Sequence, residues 1–157
     1  MRKRSKYRPK GARLDVMTWV INGMRPVTDA ADEILTLRIK NHMAMDTLRK
    51  GGGTKAEMDV VIAALNMTEA LARLRIGGEL ADKIRAGQDA LYTLAKRGAN
   101  IGRFIFTGPE LQAVNLAMEI HDAQLDVCTI AELEKAVEIV KQELRHKRMR
   151  VVEVKEA

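Results

Sequence analysis

Apolar residues recur along this chain at alternating spacings of three and four. Leu111, Val114, Met118, His121 and Leu125 follow that rhythm, and Ile130, Leu133, Val137, Val140 and Leu144 repeat it, which is the stripe of an amphipathic helix. Only the corner around Cys128 and Thr129 separates the two runs, so the pattern predicts a sharp αα-hairpin and an antiparallel pair. Helix starts are spelled the same way three times. Thr54-Lys-Ala-Glu57, Thr107-Gly-Pro-Glu110 and Thr129-Ile-Ala-Glu132 each put Thr at an N-cap and Glu three residues on, where hydroxyl and carboxylate satisfy each other's orphan backbone N–H groups. Pro109 suits a first helical turn, where its missing N–H has no intrahelical partner to lose. A fourth start falls at Thr28-Asp29, after the turn Arg25-Pro26-Val27.

Read from those starts, the spacing predicts six helices, over residues 14–24, 29–50, 55–76, 79–97, 109–127 and 130–148. The third contains Val60-Val-Ile-Ala-Ala-Leu65, apolar on most sides, and is therefore expected at the centre of the bundle. Gly77-Gly78 would cap or kink its end. Two short segments, Arg103-Phe-Ile-Phe106 and Arg150-Val-Val-Glu-Val154, are rich in β-branched or aromatic residues; they either pair as a small two-stranded β-ribbon or lie as extended chain on the bundle. Gly51-Gly52-Gly53 reads as a connector, because the Lys-Ser/Thr that completes a phosphate-binding loop does not follow it. No repeat at solenoid periods is evident. The reading is an all-α single helical bundle of about six helices over residues 14–157, preceded by a basic arm over residues 1–13.

Composition supports that class. Aromatic residues make up 3% of the 157, while nine are Met, which favours helix packing over sheets. The single Cys128 rules out an intramolecular disulfide and a Cys-based zinc cluster. No apolar run approaches the length of a membrane span, so a soluble, cytoplasmic protein with no membrane partner is expected.

Charge changes the picture more than composition does. The net charge of +6 resides entirely in the first thirteen residues, where Arg2, Lys3, Arg4, Lys6, Arg8, Lys10 and Arg13 occur without an acid. The remaining 144 residues hold 20 basic and 21 acidic side chains. A short cationic arm around one aromatic, Tyr7, has too little apolar surface to fold alone and is expected to be disordered. Its natural partners are polyanions, DNA or RNA, with affinity that falls steeply with salt. A second basic site is read at Lys96-Arg-Gly-Ala-Asn-Ile-Gly-Arg103, where Lys96, Arg97 and Arg103 frame a loop and Gly98 and Gly102 let backbone N–H groups approach an anion. A third lies at Lys141, Arg145, His146, Lys147, Arg148 and Arg150. Cations near a helix C-terminus also complement its dipole without any ligand.

Candidates for chemistry are few. The histidines, His42, His121 and His146, include no i, i+4 pair. His121 sits on an apolar seam, where a neutral imidazole needs a hydrogen-bond partner; a core role held by a carboxylate or carbonyl stands against a metal or general-base role that would need His42 and His121 to meet with Asp122 or Glu69. Ser5 is the only serine and lies in the arm, which leaves no Ser-His-Asp set. Cys128 reads as a packing residue. No catalytic residue, metal site or cofactor is assigned. Gln112, Asn115, Glu119, Asp122 and Asp126 form a polar stripe on one helix, either a solvated face or a surface for a protein partner or for the basic arm; the apolar seams also permit a homo-oligomer, since such a face can be buried against a copy.

Three segments carry a resemblance. Met1-Arg-Lys-Arg-Ser-Lys-Tyr-Arg-Pro-Lys-Gly11, Ile39-Lys-Asn-His-Met-Ala-Met45 and Glu119-Ile-His-Asp-Ala-Gln-Leu-Asp126 resemble small accessory proteins encoded by tailed bacteriophages and prophages of Gram-negative bacteria. The resemblance implies a context, a compact accessory product acting on nucleic acid or on a host protein, and transfers no catalytic role to any residue here.

Overall fold

The computed structural model describes residues 24, 26 and 31–146. Five α-helices account for most of them: α1 (Ala31–Arg49), α2 (Lys55–Arg73), α3 (Ala81–Ile101), α4 (Gly108–Val127) and α5 (Ile130–Arg145), with a single 3-10 turn, Gly78–Leu80, before α3. The arm, the helix expected over residues 14–24, the start at Thr28-Asp29 and the strand expected over residues 150–154 lie outside the described residues, apart from Met24, which is in a turn.

All three predicted capping boxes form. Thr54, Thr107 and Thr129 are extended N-cap residues whose hydroxyls accept from first-turn N–H groups, while Glu57, Glu110 and Glu132 accept from the cap N–H groups in return. These caps fix where α2, α4 and α5 begin.

The central helix is α2, which packs against each of the other four. Its first half joins Met45 and Leu48 of α1, Leu91 and Leu94 of α3, and Val114 and Met118 of α4 in one core. Its second half enters another, with Ile34, Leu125, Cys128 and Ala136, to which Ile130, Leu133, Ile139 and Val140 add partly buried surface. Thr68 and Gln124 are buried between these cores. The Gln124 amide there donates to the Thr68 carbonyl at 3.0 Å and to that of Ile76 at 2.8 Å, tying α4 to α2 and to the turn that ends it.

Three sequence expectations are corrected, and one open alternative is decided. The helix expected to stop at Arg97 runs one turn further, through Gly98, to Ile101, and the left-handed cap is Gly102 (φ 79°). Gly98 is buried inside α3 because the Phe104 ring lies on it: a β-carbon there would come within 2.2 Å of that ring. The helix expected to reach Ile76 ends at Arg73, and Arg75 takes a left-handed conformation (φ 69°). Of the two readings of Arg103-Phe-Ile-Phe106, chain lying on the bundle is the one seen: no strand forms over these residues, and buried Phe104 makes an isolated bridge with Gly53. Finally, α4 and α5 are not a packed pair. The strongest partner of α4 is α3, and α5 lies on α2, because Cys128 and Thr129 are both extended (ψ 157° and 163°) and turn the chain away. The fully buried residue of α5 is Ala136, whereas Val137 and Leu144 of the predicted seam are exposed.

Candidate functional site

The loop read as an anion cradle is built differently from its sequence. Its first six residues are helical, and Arg97 is turned inward, with Nη1 and Nη2 donating to the two carboxylate oxygens of Glu110 at 2.8 and 2.7 Å and Nη2 also donating to the Ile105 carbonyl at 2.7 Å. Arg97 therefore clamps the end of α3 to the start of α4. Those bonds, with the Thr107 cap, hold the Glu110 carboxyl down at about 2, well below its ordinary 4.5. Lys96 and Arg103 remain exposed. The Lys96 ammonium lies 5.4 Å from the centre of the Tyr92 ring, a cation–π distance. Of the three cations, two face solvent at this corner and one is structural.

The C-terminal basic run is only partly described. Arg145 is exposed and pairs with Glu138 at 3.0 Å, and exposed His146 caps α5; Lys147, Arg148 and Arg150 lie beyond the described residues.

The second candidate region is the seam between α1 and α4. Arg38 donates to the Asp122 carbonyl at 3.1 Å and pairs with the Asp126 carboxylate. His42 Nε2 lies 2.7 Å from Asp122 Oδ2. His42 thus meets Asp122, as the sequence considered, but Glu69 is elsewhere, holding Arg73 at 3.1 Å and Gln88 at 3.0 Å. Among the described residues no group of three or more His, Cys, Asp or Glu side chains could hold a metal ion.

Behind this ion-paired joint lies His121, 1% exposed, with neither ring nitrogen hydrogen-bonded. The expectation of an imidazole held by a carboxylate or carbonyl is corrected: Asp122 meets His42 through Oδ2, and its other oxygen is buried without bonding His121. Burial, opposed by the neighbouring Asp122 charge and assisted by Arg38 and His42, lowers the pKa of His121 from 6.5 to about 4, so it is neutral at pH 7. Asn41 Nδ2, Arg38 Nε and Asp122 Oδ1 are also buried without a partner. Sequence reasoning missed Asn41, 2% exposed, and Arg38. Their signal was the spacing Arg38, Asn41, Met45 and Leu48, the core face of α1.

The polar stripe of α4 is mostly solvated. Gln112, Asn115, Glu119 and Asp126 are exposed, whereas Asp122 is half-buried. Next to it the sequence had not marked an apolar row on α1: Leu35, Ile39 and Met43 are 57%, 50% and 66% exposed. They occupy i, i+4 and i+8, one ridge of the helix, immediately beside the Arg38–His42 row that meets Asp122 and Asp126. Cys128 is buried, and burial raises its thiol pKa, which fits packing and not reactivity.

No protein-family model, curated protein or solved structure matches the chain. Among the described residues no helix is long and apolar enough to cross a membrane.

Proposed function

We propose that this is a non-enzymatic accessory protein, of the kind tailed phages carry, that binds nucleic acid through its basic N-terminal arm in the cytoplasm of a host cell. The observation that carries the reading is the separation of charge: seven cations and no acid in residues 1–13, against 20 basic and 21 acidic residues in the rest. Such an arm neutralises phosphates and releases their counterions, which gives affinity without sequence selection. Exposed Lys96 and Arg103, at the corner between α3 and α4, support it as secondary contacts. Arg97 contributes by holding that corner in place.

The test is fluorescence anisotropy of labelled single- and double-stranded DNA and RNA, with the full chain and with a chain lacking residues 2–13, over a salt series. The full chain is expected to bind with a steep salt slope that the deletion abolishes. Equal binding by both chains would overturn the proposal.

A second reading, a module that binds a host protein, is favoured by one observation, the exposed ridge Leu35, Ile39 and Met43. Exposed apolar residues gathered on one ridge mark interaction surfaces more often than scattered ones do. Nuclease-resistant capture of one host protein, lost on Ile39→Asp, would favour it over the first.

A further inference from the structure

The ridge Leu35, Ile39 and Met43 does not stand alone. Its neighbouring row on α1 is Arg38 and His42, which hold Asp122 and Asp126 of α4. Beyond that joint Glu119 and Asn115 continue the α4 row in solvent. The face is therefore an apolar ridge flanked by Arg38 and His42, beyond which three carboxylates, Asp122, Asp126 and Glu119, outnumber those two partners. It calls for an occupant with apolar side chains at helical spacing and a surplus of cations.

We propose that this face is the docking surface for the chain's own segment of residues 2–22. Three observations select this occupant. The segment carries the seven cations of the arm and then Leu14, Met17 and Ile21 at i, i+3 and i+7, the two features that the face complements. The chain also returns to the body at the right place: Pro26 forms an isolated bridge with Thr129, three residues beyond Asp126. Three residues separate position 22 from Pro26, a tether of four steps and up to about 13 Å when extended, so docking is intramolecular and favoured by a high effective concentration. A second copy of the same face is the poorer occupant, because self-pairing sets Glu119 and Asp126 against like charges.

Docking by itself is independent of the nucleic-acid reading. Its consequence for regulation rests on that reading: the acidic border and a phosphate backbone compete for the same cations, so the body holds the arm until a polyanion displaces it.

The experiment places the photo-crosslinker p-benzoylphenylalanine at position 17 of the full chain, with products mapped by mass spectrometry. Intrachain crosslinks to residues 35–43 or 115–126 are expected. Their yield should fall at least five-fold in Ile39→Asp and in Glu119→Lys, two exposed substitutions whose retained fold is checked by circular dichroism. Crosslinks that map elsewhere, or a yield that neither substitution changes, would overturn the proposal. Crosslinks between chains would assign the face to a second copy and overturn it too. Adding duplex DNA at low salt separates the two readings: a falling intrachain yield supports competition, whereas an unchanged yield leaves docking intact and counts against nucleic acid as the arm's ligand.

Discussion

His121 concentrates a cost at one residue. A buried imidazole with two unpartnered nitrogens forgoes hydrogen bonds that it makes in the unfolded chain, and burial forces it to remain neutral. Because its folded pKa is about 4 against 6.5, the unfolded state binds the extra proton between those values. Stability is therefore undiminished above pH 6.5 and declines as pH falls from 6.5 towards 4, by on the order of 3 kcal/mol. His121→Leu is expected to flatten that part of a pH–stability profile measured by urea unfolding; an unchanged slope would show that other groups carry it. Glu110 makes its own contribution lower on the scale. Its carboxyl is depressed by Arg97 from 4.5 to about 2, so its stabilising share is present above 4.5 and lost as pH falls through that window. Arg97→Met should cost about 1 kcal/mol, allowing for the partial exposure of the pair. It should also unsettle the corner bearing Arg103, whereas Arg103→Met should leave the melting temperature unchanged and weaken nucleic-acid binding.

At the scale of elements, helix starts were legible and helix ends were not. A capping box is a local contact between residues three apart, so Thr54, Thr107 and Thr129 announce α2, α4 and α5 without help from the rest of the chain. An end depends on what packs against the glycine. Gly98, just past the end expected at Arg97, was read as part of an anion-binding loop, yet Phe104, six residues on, covers it and requires it to lack a β-carbon. Gly87 plays the same part between helices: a β-carbon there would lie 2.6 Å from that of Ala117 and 3.1 Å from the Ala113 carbonyl oxygen, which lets α3 and α4 approach closely. Gly87→Ala is therefore expected to destabilise by about 1–3 kcal/mol through overpacking, outweighing the roughly 1 kcal/mol that alanine gains in an open helix. Thermal unfolding of the variant measures the sign. Thr107→Ala, which removes one side of a capping box, should cost about 1 kcal/mol by the same measurement.

By sequence the whole chain divides by charge, with seven cations and no acid in residues 1–13 and a nearly neutral remainder. Removing residues 2–13 should abolish salt-dependent binding to nucleic acid and, because docking of the segment adds to the folded state, lower the urea midpoint of the body slightly; a midpoint that rises would count against docking. The sequence by itself determined the all-α class, the central position of α2, the three capped starts and the site of the net charge. Each follows from local chemistry or from counting, which need no knowledge of neighbours in space. Only the tertiary structure decided that α4 packs on α3 and not on α5, that Arg97 is a clamp, and that His42 meets Asp122 while His121 is left without a partner. It alone set the ridge of Leu35, Ile39 and Met43 beside the acidic row of α4. Periodicity tells which residues share a face, but the direction in which that face points is fixed by two extended residues at one corner, Cys128 and Thr129, and by the close approach that glycine allows. Those are properties of packed surfaces, and a one-dimensional pattern of apolar and polar positions carries no record of them.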